Sequence, residues 1–388
     1  MKLLILSSYS FSIPFNGGQV RALNLKKFYE ANGAKVCTSG ILSSDDFFVE
    51  DGYLKKPKKS ELCKIGIPYE GFEDYIVGYL ASNNMKFFKK LFNKISINPD
   101  FIQVEHPWFF DFAVKIKKNF FFNAKIIYSS HNNEYKLKKK LFFNKNQQSI
   151  LHDIQLLELR AIRKSDYVIS VSKENKRFND KHSKLPSILV ENGADEIRYP
   201  EFIDPKFKKI IPAKFALFYA SSYNPNIEGF FHFFTEHFGS IPPNCYLVLA
   251  GEISYEILKD RRLKKLSYLL DKTIFLGRIS RYELNYVIEK SHCILLPILV
   301  GEGSSLKTAE AILSCKYIIT SSVSMRGYES YKNSKGIFVT DSPIFFKKTL
   351  FEVLMKKSLK LAKRDINERN KLLWTNTLQE LKDILIEP

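Results

Sequence analysis

The chain has 388 residues, with 60 Lys and Arg against 41 Asp and Glu, a formal net charge of +19. That length exceeds a single ordinary core, so two domains are expected. No apolar run reaches the ~18–20 residues that span a bilayer, and no nucleic-acid module pattern is present. The five cysteines (Cys37, Cys63, Cys245, Cys293, Cys315) include no C-x-x-C pair. They read as reduced, structural thiols of a cytosolic protein, not zinc ligands.

The positive excess lies in runs: Lys55-Lys56-Pro57-Lys58-Lys59, Lys86 to Phe92, Lys115 to Phe122 and Lys136 to Lys145. Basic residues interleaved with Phe suit an anionic membrane surface ahead of nucleic acid. The competing reading is a solvated basic face in a Lys-, Asn-, Ile- and Phe-rich protein. Both stay open at this point.

Strand-like and helix-like segments alternate along the whole chain. Lys2–Ser8 reads as a buried first strand instead of a signal core, because Ser-Ser-Tyr-Ser follows it. Gly18–Asn32 is an amphipathic helix closed by Gly33. Ala34–Leu42, Phe101–Glu105 and Lys125–Ser130 are strands. A helix over Gln148–Lys164 leads into strand Tyr167–Val171, and Ile188–Glu191 is a further strand. A second series starts at strand Phe215–Ala220, followed by helix Ile227–Phe238 and strand Cys245–Ala250. Ile274–Leu276 and Cys293–Pro297 are strands around helix Tyr282–Lys290. A helix from Ser305 leads to strand Tyr317–Ser321, then Gly336–Thr340, and the chain is helical from about Ile344. Alternation of this kind specifies α/β architecture, with parallel sheets covered on both faces. Two series give two doubly wound, Rossmann-like domains facing a central cleft. The junction falls at Asn192-Gly193, before the Pro-rich stretch Pro200 to Pro212. The expected division is 1–192, 193–362 and a C-terminal helical segment 363–388 returning to the first domain.

The most informative stretch is Gly301-Glu302-Gly303-Ser304-Ser305-Leu306-Lys307-Thr308-Ala309-Glu310-Ala311. It joins an apolar strand to a helix through a Gly-rich turn, so backbone N–H groups face outward at an anion. Glu302 and Glu310 stand eight positions apart, and carboxylates accept the paired hydroxyls of sugars and riboses. The stretch therefore reads as a cradle for a nucleotide-linked sugar. After the first strand, Asn16-Gly17-Gly18 opens a helix without a G-x-G-x-x-G, which disfavours a nicotinamide or flavin site. Asp45-Asp46 has no further ligands near it in sequence, so no metal is expected.

Taken together, these motifs resemble the retaining glycosyltransferases of GT-B fold, family 4, over nearly the whole chain. The resemblance rests on Asn16-Gly17-Gly18 with Arg21, His131-Asn132-Asn133-Glu134, "VISVS" ending at Ser172, "VENGAD" at Val190–Asp195, "FLGRIS" at Phe275–Ser280 and "EGSSLKTAEA" at Glu302–Ala311. It implies that Glu302 contacts donor-sugar hydroxyls and Glu310 the ribose hydroxyls. Gly303, Ser304 and Ser305 would lend N–H groups to the diphosphate. Gly17 and Gly18 would line the opposite side, His131 would sit beside the sugar, and Arg278 would lie close to the base. The acceptor would bind near Gly17, Trp108, His131 and Arg21.

One departure matters. The family's Arg and Lys after the first strand of the second domain are replaced here by Ala220-Ser221-Ser222-Tyr223-Asn224-Pro225-Asn226. This resembles a branch with "PN" at that site, which places Asn226 in the donor site and leaves Lys307 as cation for the leaving diphosphate. The implied activity is sugar transfer from a UDP- or GDP-type donor to a glycan or lipid-linked acceptor. No metal or other cofactor is implied. Surface-polysaccharide or lipopolysaccharide assembly at the inner face of a bacterial cytoplasmic membrane is the implied setting. A nucleotide-sugar 2-epimerase of the same architecture and a non-catalytic membrane- or polymer-binding scaffold are the alternatives.

Overall fold

The computed structural model describes residues 1–14, 16–63, 70–142, 147–198, 201–234, 240–301, 304–382 and 384, apart from the Cys63 side chain. The chain divides into two compact units, Met1–Asn192 with Thr377–Pro388, and Gly193–Asn376. The first holds a sheet of β1 (Lys2–Ser7), β2 (Lys35–Ile41), β3 (Tyr53–Leu54), β4 (Phe101–Glu105), β5 (Lys125–Ser130), β6 (Tyr167–Ser170) and β7 (Ile188–Leu189). Its order is β3-β2-β1-β4-β5-β6-β7, and the pairs are parallel. The second holds β8 (Phe215–Tyr219), β9 (Tyr246–Ala250), β10 (Thr273–Gly277), β11 (Cys293–Leu296), β12 (Tyr317–Thr320) and β13 (Ile337–Val339). They run β10-β9-β8-β11-β12-β13, again in parallel.

Parallel strands are buried on both faces, which is why β1, β8, β9 and β11 read as unbroken apolar runs. β8 shows the division of labour. Ala216 and Phe218 join one core with Phe230, Phe234 and Phe346, while Phe215, Leu217 and Tyr219 join another with Val287, Ile312 and Tyr328. In each sheet the strand order reverses beside its first strand, between β1 and β4 and between β8 and β11. Ligands of doubly wound sheets bind beyond the carboxyl ends of the strands at such points.

Most expected elements lie within a few residues of their observed bounds, and helix Gln148–Lys164 has the expected ones. The end of the helix expected over Ile227–Phe238 runs into 235–239, outside the described residues. Helices Glu73–Asn83, Met85–Phe92, Phe110–Asn119 and Glu134–Leu141 were not expected. The run Lys86 to Phe92 is one of them. Phe87 and Leu91, four apart, are buried, while Lys86, Lys89 and Lys90 are exposed. Amphipathic spacing thus turns this Phe face into the core. Phe120 and Phe122 remain exposed at 47% and 71%. At the C-terminus, helix Lys363–Asn370 belongs to the second unit, and Leu378 and Leu381 are buried in the first. None of the described helices is long and apolar enough to cross a membrane.

Helix Asn224–Phe234 packs onto the chain beyond β11 through Gly229, where a Cβ would fall 1.7 Å from the Pro297 carbonyl oxygen. Backbone cannot yield as a flexible side chain can. Gly229→Ala is therefore expected to destabilise the second unit by about 2 kcal/mol. Urea unfolding measures this, and an unchanged midpoint would refute the close approach.

Candidate functional site

In the second unit, the residues after β11 lead into helix Leu306–Leu313, which begins after Ser305 in extended conformation. Glu302 and Gly303 lie outside the described residues. Ser304 and Ser305 are half-buried at the helix start, and Ser304 packs against Gly327. Arg326 adds a cation at this turn, since a Cβ on Gly301 would fall 2.4 Å from its Nη2. Neither the Gly301 motif nor the strand pattern pointed to Arg326, because it arrives from beyond β12.

Glu310 sits on the helix one turn after Lys307. The Tyr219 hydroxyl, from the last residue of β8, donates to its Oε2 at 3.0 Å, and Arg281 Nη1 donates to Oε1 at 2.6 Å. The carboxylate is thus fixed at both oxygens, with lone pairs left over. Lys307 does not pair with Glu310; its Nζ donates to Asn226 Oδ1 at 3.0 Å. Asn226 is buried and donates through Nδ2 to the Ser221 carbonyl at 3.2 Å. A single amide therefore ties the loop after β8 to the helix after β11, across the point where strand order reverses. Burial pushes the Lys307 ammonium down to about 8, against the pull of Glu310. It stays largely charged at neutral pH.

Arg278 is exposed and bonds the Glu252 carboxylate. The arginine on Glu310 is Arg281, three positions on. The signal for it was present: Ser280 caps its helix in a capping box with Glu283, which puts Arg281 in the first turn.

In the first unit, Gly17 opens helix Gly17–Ala31. Asn16 and Gln19 form a capping box there, and Gly18 lies 3.5 Å from the Tyr9 hydroxyl, measured from its Cβ position. Arg21 and Trp108 are interior residues, 1% and 3% exposed. Arg21 Nη1 donates to Asn192 Oδ1 at 2.8 Å. Trp108 packs beside Tyr75 and His106, with the Lys138 ammonium 5.8 Å from its ring centre. His131 follows β5 and is also buried, with Nε2 on the Glu105 carboxylate.

Around His131 lies a polar network that the sequence reading missed. The Tyr29 hydroxyl donates to Gln103 Oε1 at 2.6 Å, and Gln103 Nε2 donates to Glu105. His106 Nδ1 meets Glu134 Oε1 at 2.7 Å. Glu158 accepts the backbone N–H groups of Glu134 and Tyr135 at 2.8 and 3.1 Å. Gln103, Glu105, Glu134 and Glu158 are buried in a unit whose other interior positions are largely apolar, and each has a hydrogen-bonding partner. The pattern escaped reading because its members come from separate elements. Among the described residues no group of three or more His, Cys, Asp and Glu is arranged to hold a metal.

Residues 214–354 match the family model for glycosyl transferases group 1, within the second unit. No curated protein matches the chain in sequence. Sucrose-phosphate synthase from Thermosynechococcus elongatus is similar over 99% of this chain and 98% of its own, at 14% identity and a TM-score of 0.71. WaaG, described as a glycosyltransferase involved in lipopolysaccharide biosynthesis, is similar over 100% of both chains, at 14% identity and a TM-score of 0.65. The fold is GT-B. A third GT-B neighbour, Anabaena Alr3699/HepE in complex with UDP-glucose, is similar over 99% of both chains, at 14% identity and a TM-score of 0.62. The group 1 domain and the GT-B fold support a transferase enzyme of the glycosyltransferase kind.

Glu158 carries a consequence for stability. Burial and the neighbouring Glu134 carboxylate push its carboxyl up to about 8, against its two N–H donors. A raised carboxyl stabilises the fold below its ordinary range near 4.5 and loses that contribution as pH rises through 8. Glu158→Gln should therefore gain on the parent protein between pH 5 and pH 9, by about 4 kcal/mol. Urea unfolding at both pH values checks this, and an equal difference at the two would contradict it.

Proposed function

We propose that the chain is a retaining glycosyltransferase of family 4, moving a sugar from a nucleotide diphosphate to a glycan or lipid-linked acceptor. The observation that carries this reading is the Glu310 carboxylate, held by Arg281 and Tyr219 one helical turn from Lys307. A fixed carboxylate with spare lone pairs suits the two ribose hydroxyls, as a bidentate acceptor for neighbouring donors. Glu302, eight residues before it, takes the sugar hydroxyls. The N–H groups at Ser304 and Ser305 and the Lys307 ammonium receive the diphosphate as its charge grows on leaving. Asn226 orients that ammonium. Gly17 and Gly18 let the substrate approach the first unit's backbone, and His131 meets the reacting sugar. The leaving phosphate itself accepts the proton of the attacking hydroxyl, so no metal is needed.

A UDP-type donor is favoured because the Anabaena neighbour carries UDP-glucose, and an envelope glycan acceptor because WaaG acts in lipopolysaccharide biosynthesis. The exposed lysines around Lys86–Lys90, together with Phe120 and Phe122, supply an anionic membrane surface with a basic, aromatic face. In this reading the enzyme works at the inner face of the cytoplasmic membrane.

Incubation with a panel of UDP- and GDP-sugars, followed by proton NMR of the product, tests the reading. Transfer or slow hydrolysis with retained anomeric configuration is expected; release of an epimerised nucleotide sugar would overturn it in favour of a 2-epimerase. The donor kcat/KM should also fall above about pH 8 as Lys307 loses its proton, since this parameter reports the free enzyme. Lys307→Arg should move that fall to higher pH, and an unmoved profile would remove Lys307 from the diphosphate site.

A further inference from the structure

β4 ends at Glu105, and His106 follows in the left-handed region at φ 61°. Residues other than glycine are uncommon in this conformation, histidine less so than most, and they persist there where surrounding structure holds them. Here the His106 N–H still bonds the Ser129 carbonyl of β5, at 3.1 Å. In a regular strand, consecutive side chains point to opposite faces. At this bend Glu105 and His106 instead converge on one residue. Glu105 bonds His131 Nε2, and the His106 ring centre lies 4.1 Å from that of His131.

Two imidazolium rings this close repel, so protonating one disfavours protonating the other and the pair titrates as a unit. Its surroundings decide where the charge sits. His106 faces Glu134 from the next helix, at 2.7 Å, with Asp74 of helix Glu73–Asn83, Glu105 and Tyr9 around it. Asn132 donates to the same Glu134 oxygen, at 3.2 Å, and Lys138 and Glu158 act on Glu134 from farther off. His131 faces Glu105, His106 and the cationic Arg21 of helix Gly17–Ala31. Glu105 is shared by His131, Gln103 and Arg21, which hold it ionised.

We propose that His106 is a positioning residue for His131. Carried on Glu134, its charge keeps His131 neutral, with the proton on Nε2 donated to Glu105 and the Nδ1 lone pair left to accept a hydrogen bond from a substrate hydroxyl. The role at the hydroxyl rests on the glycosyltransferase reading; the placement of charge and proton does not. The directions of titration agree. Glu134 draws His106 above the ordinary histidine value, whereas burial and His106 push His131 down to about 4 despite Glu105.

Imidazole nitrogen NMR of the full-length protein tests this. At pH 7 His131 should be neutral with its proton on Nε2, and His106 doubly protonated. In Glu134→Gln the two titrations should move in opposite directions, His106 downward and His131 upward by about one pH unit or more. A charged His131 in the parent protein, a proton on its Nδ1, or titrations that move together would overturn the proposal. If circular dichroism shows Glu134→Gln unfolded, His106→Gln gives the same decision: His131 should again titrate higher, which a merely structural His106 would not cause. Sugar transfer by Glu134→Gln should fall to about half at pH 5 relative to pH 8, beyond any drop in the parent. A parent protein that neither binds UDP nor transfers sugar would sink the functional reading while leaving the NMR result to stand by itself.

Discussion

The Glu310 carboxylate is the constraint on which the candidate site of the second unit depends. It is reached from three elements of the second unit: its own helix after β11, the end of β8 through Tyr219, and the helix after β10 through Arg281. None of the three would place it without the parallel sheet, because only a doubly wound order sets the ends of β8 and β11 side by side. The sheet's register thus becomes the geometry of a carboxylate, and the ion pair with Arg281 limits how that carboxylate can turn. The pair is partly exposed, so its value is orientation more than stability.

Charge follows a second logic. In the proposed reaction a departing diphosphate needs cations, and the segment after β8 supplies none between Ala220 and Asn226. Lys307 is the cation that meets that loop, and it binds the loop's neutral amide while Glu310 is taken by Arg281. A half-buried ammonium without a carboxylate bonded to it is poised for an anion. Arg326, close against Gly301, adds positive charge nearby. In the first unit two histidines each meet a buried carboxylate, His106 on Glu134 and His131 on Glu105.

The sheets were largely legible in the sequence because fully buried parallel strands leave unbroken apolar runs. Phe215–Tyr219 and Cys293–Leu296 could hardly be read otherwise. The basic runs were harder. Lys86 to Phe92 looks like a membrane-facing stretch until the helical period puts Phe87 and Leu91 inward. At the site, Lys307 and Glu310 could be found from spacing along one helix. Tyr219, Glu105 and His106 could not, since their partners come from other elements and short-range periodicity holds no trace of them. Arg281 was within reach of the sequence, since the capping box at Ser280 puts it in the first turn of its helix, three positions beyond Arg278.

In the proposed function Glu310 is the nucleotide's anchor. Isothermal calorimetry of UDP binding to the parent chain and to Glu310→Ala measures this directly. Loss of charge-assisted bonds to two ribose hydroxyls predicts a weakening of about 2–3 kcal/mol, roughly a hundredfold in Kd. UDP binding of equal affinity in both proteins would contradict it.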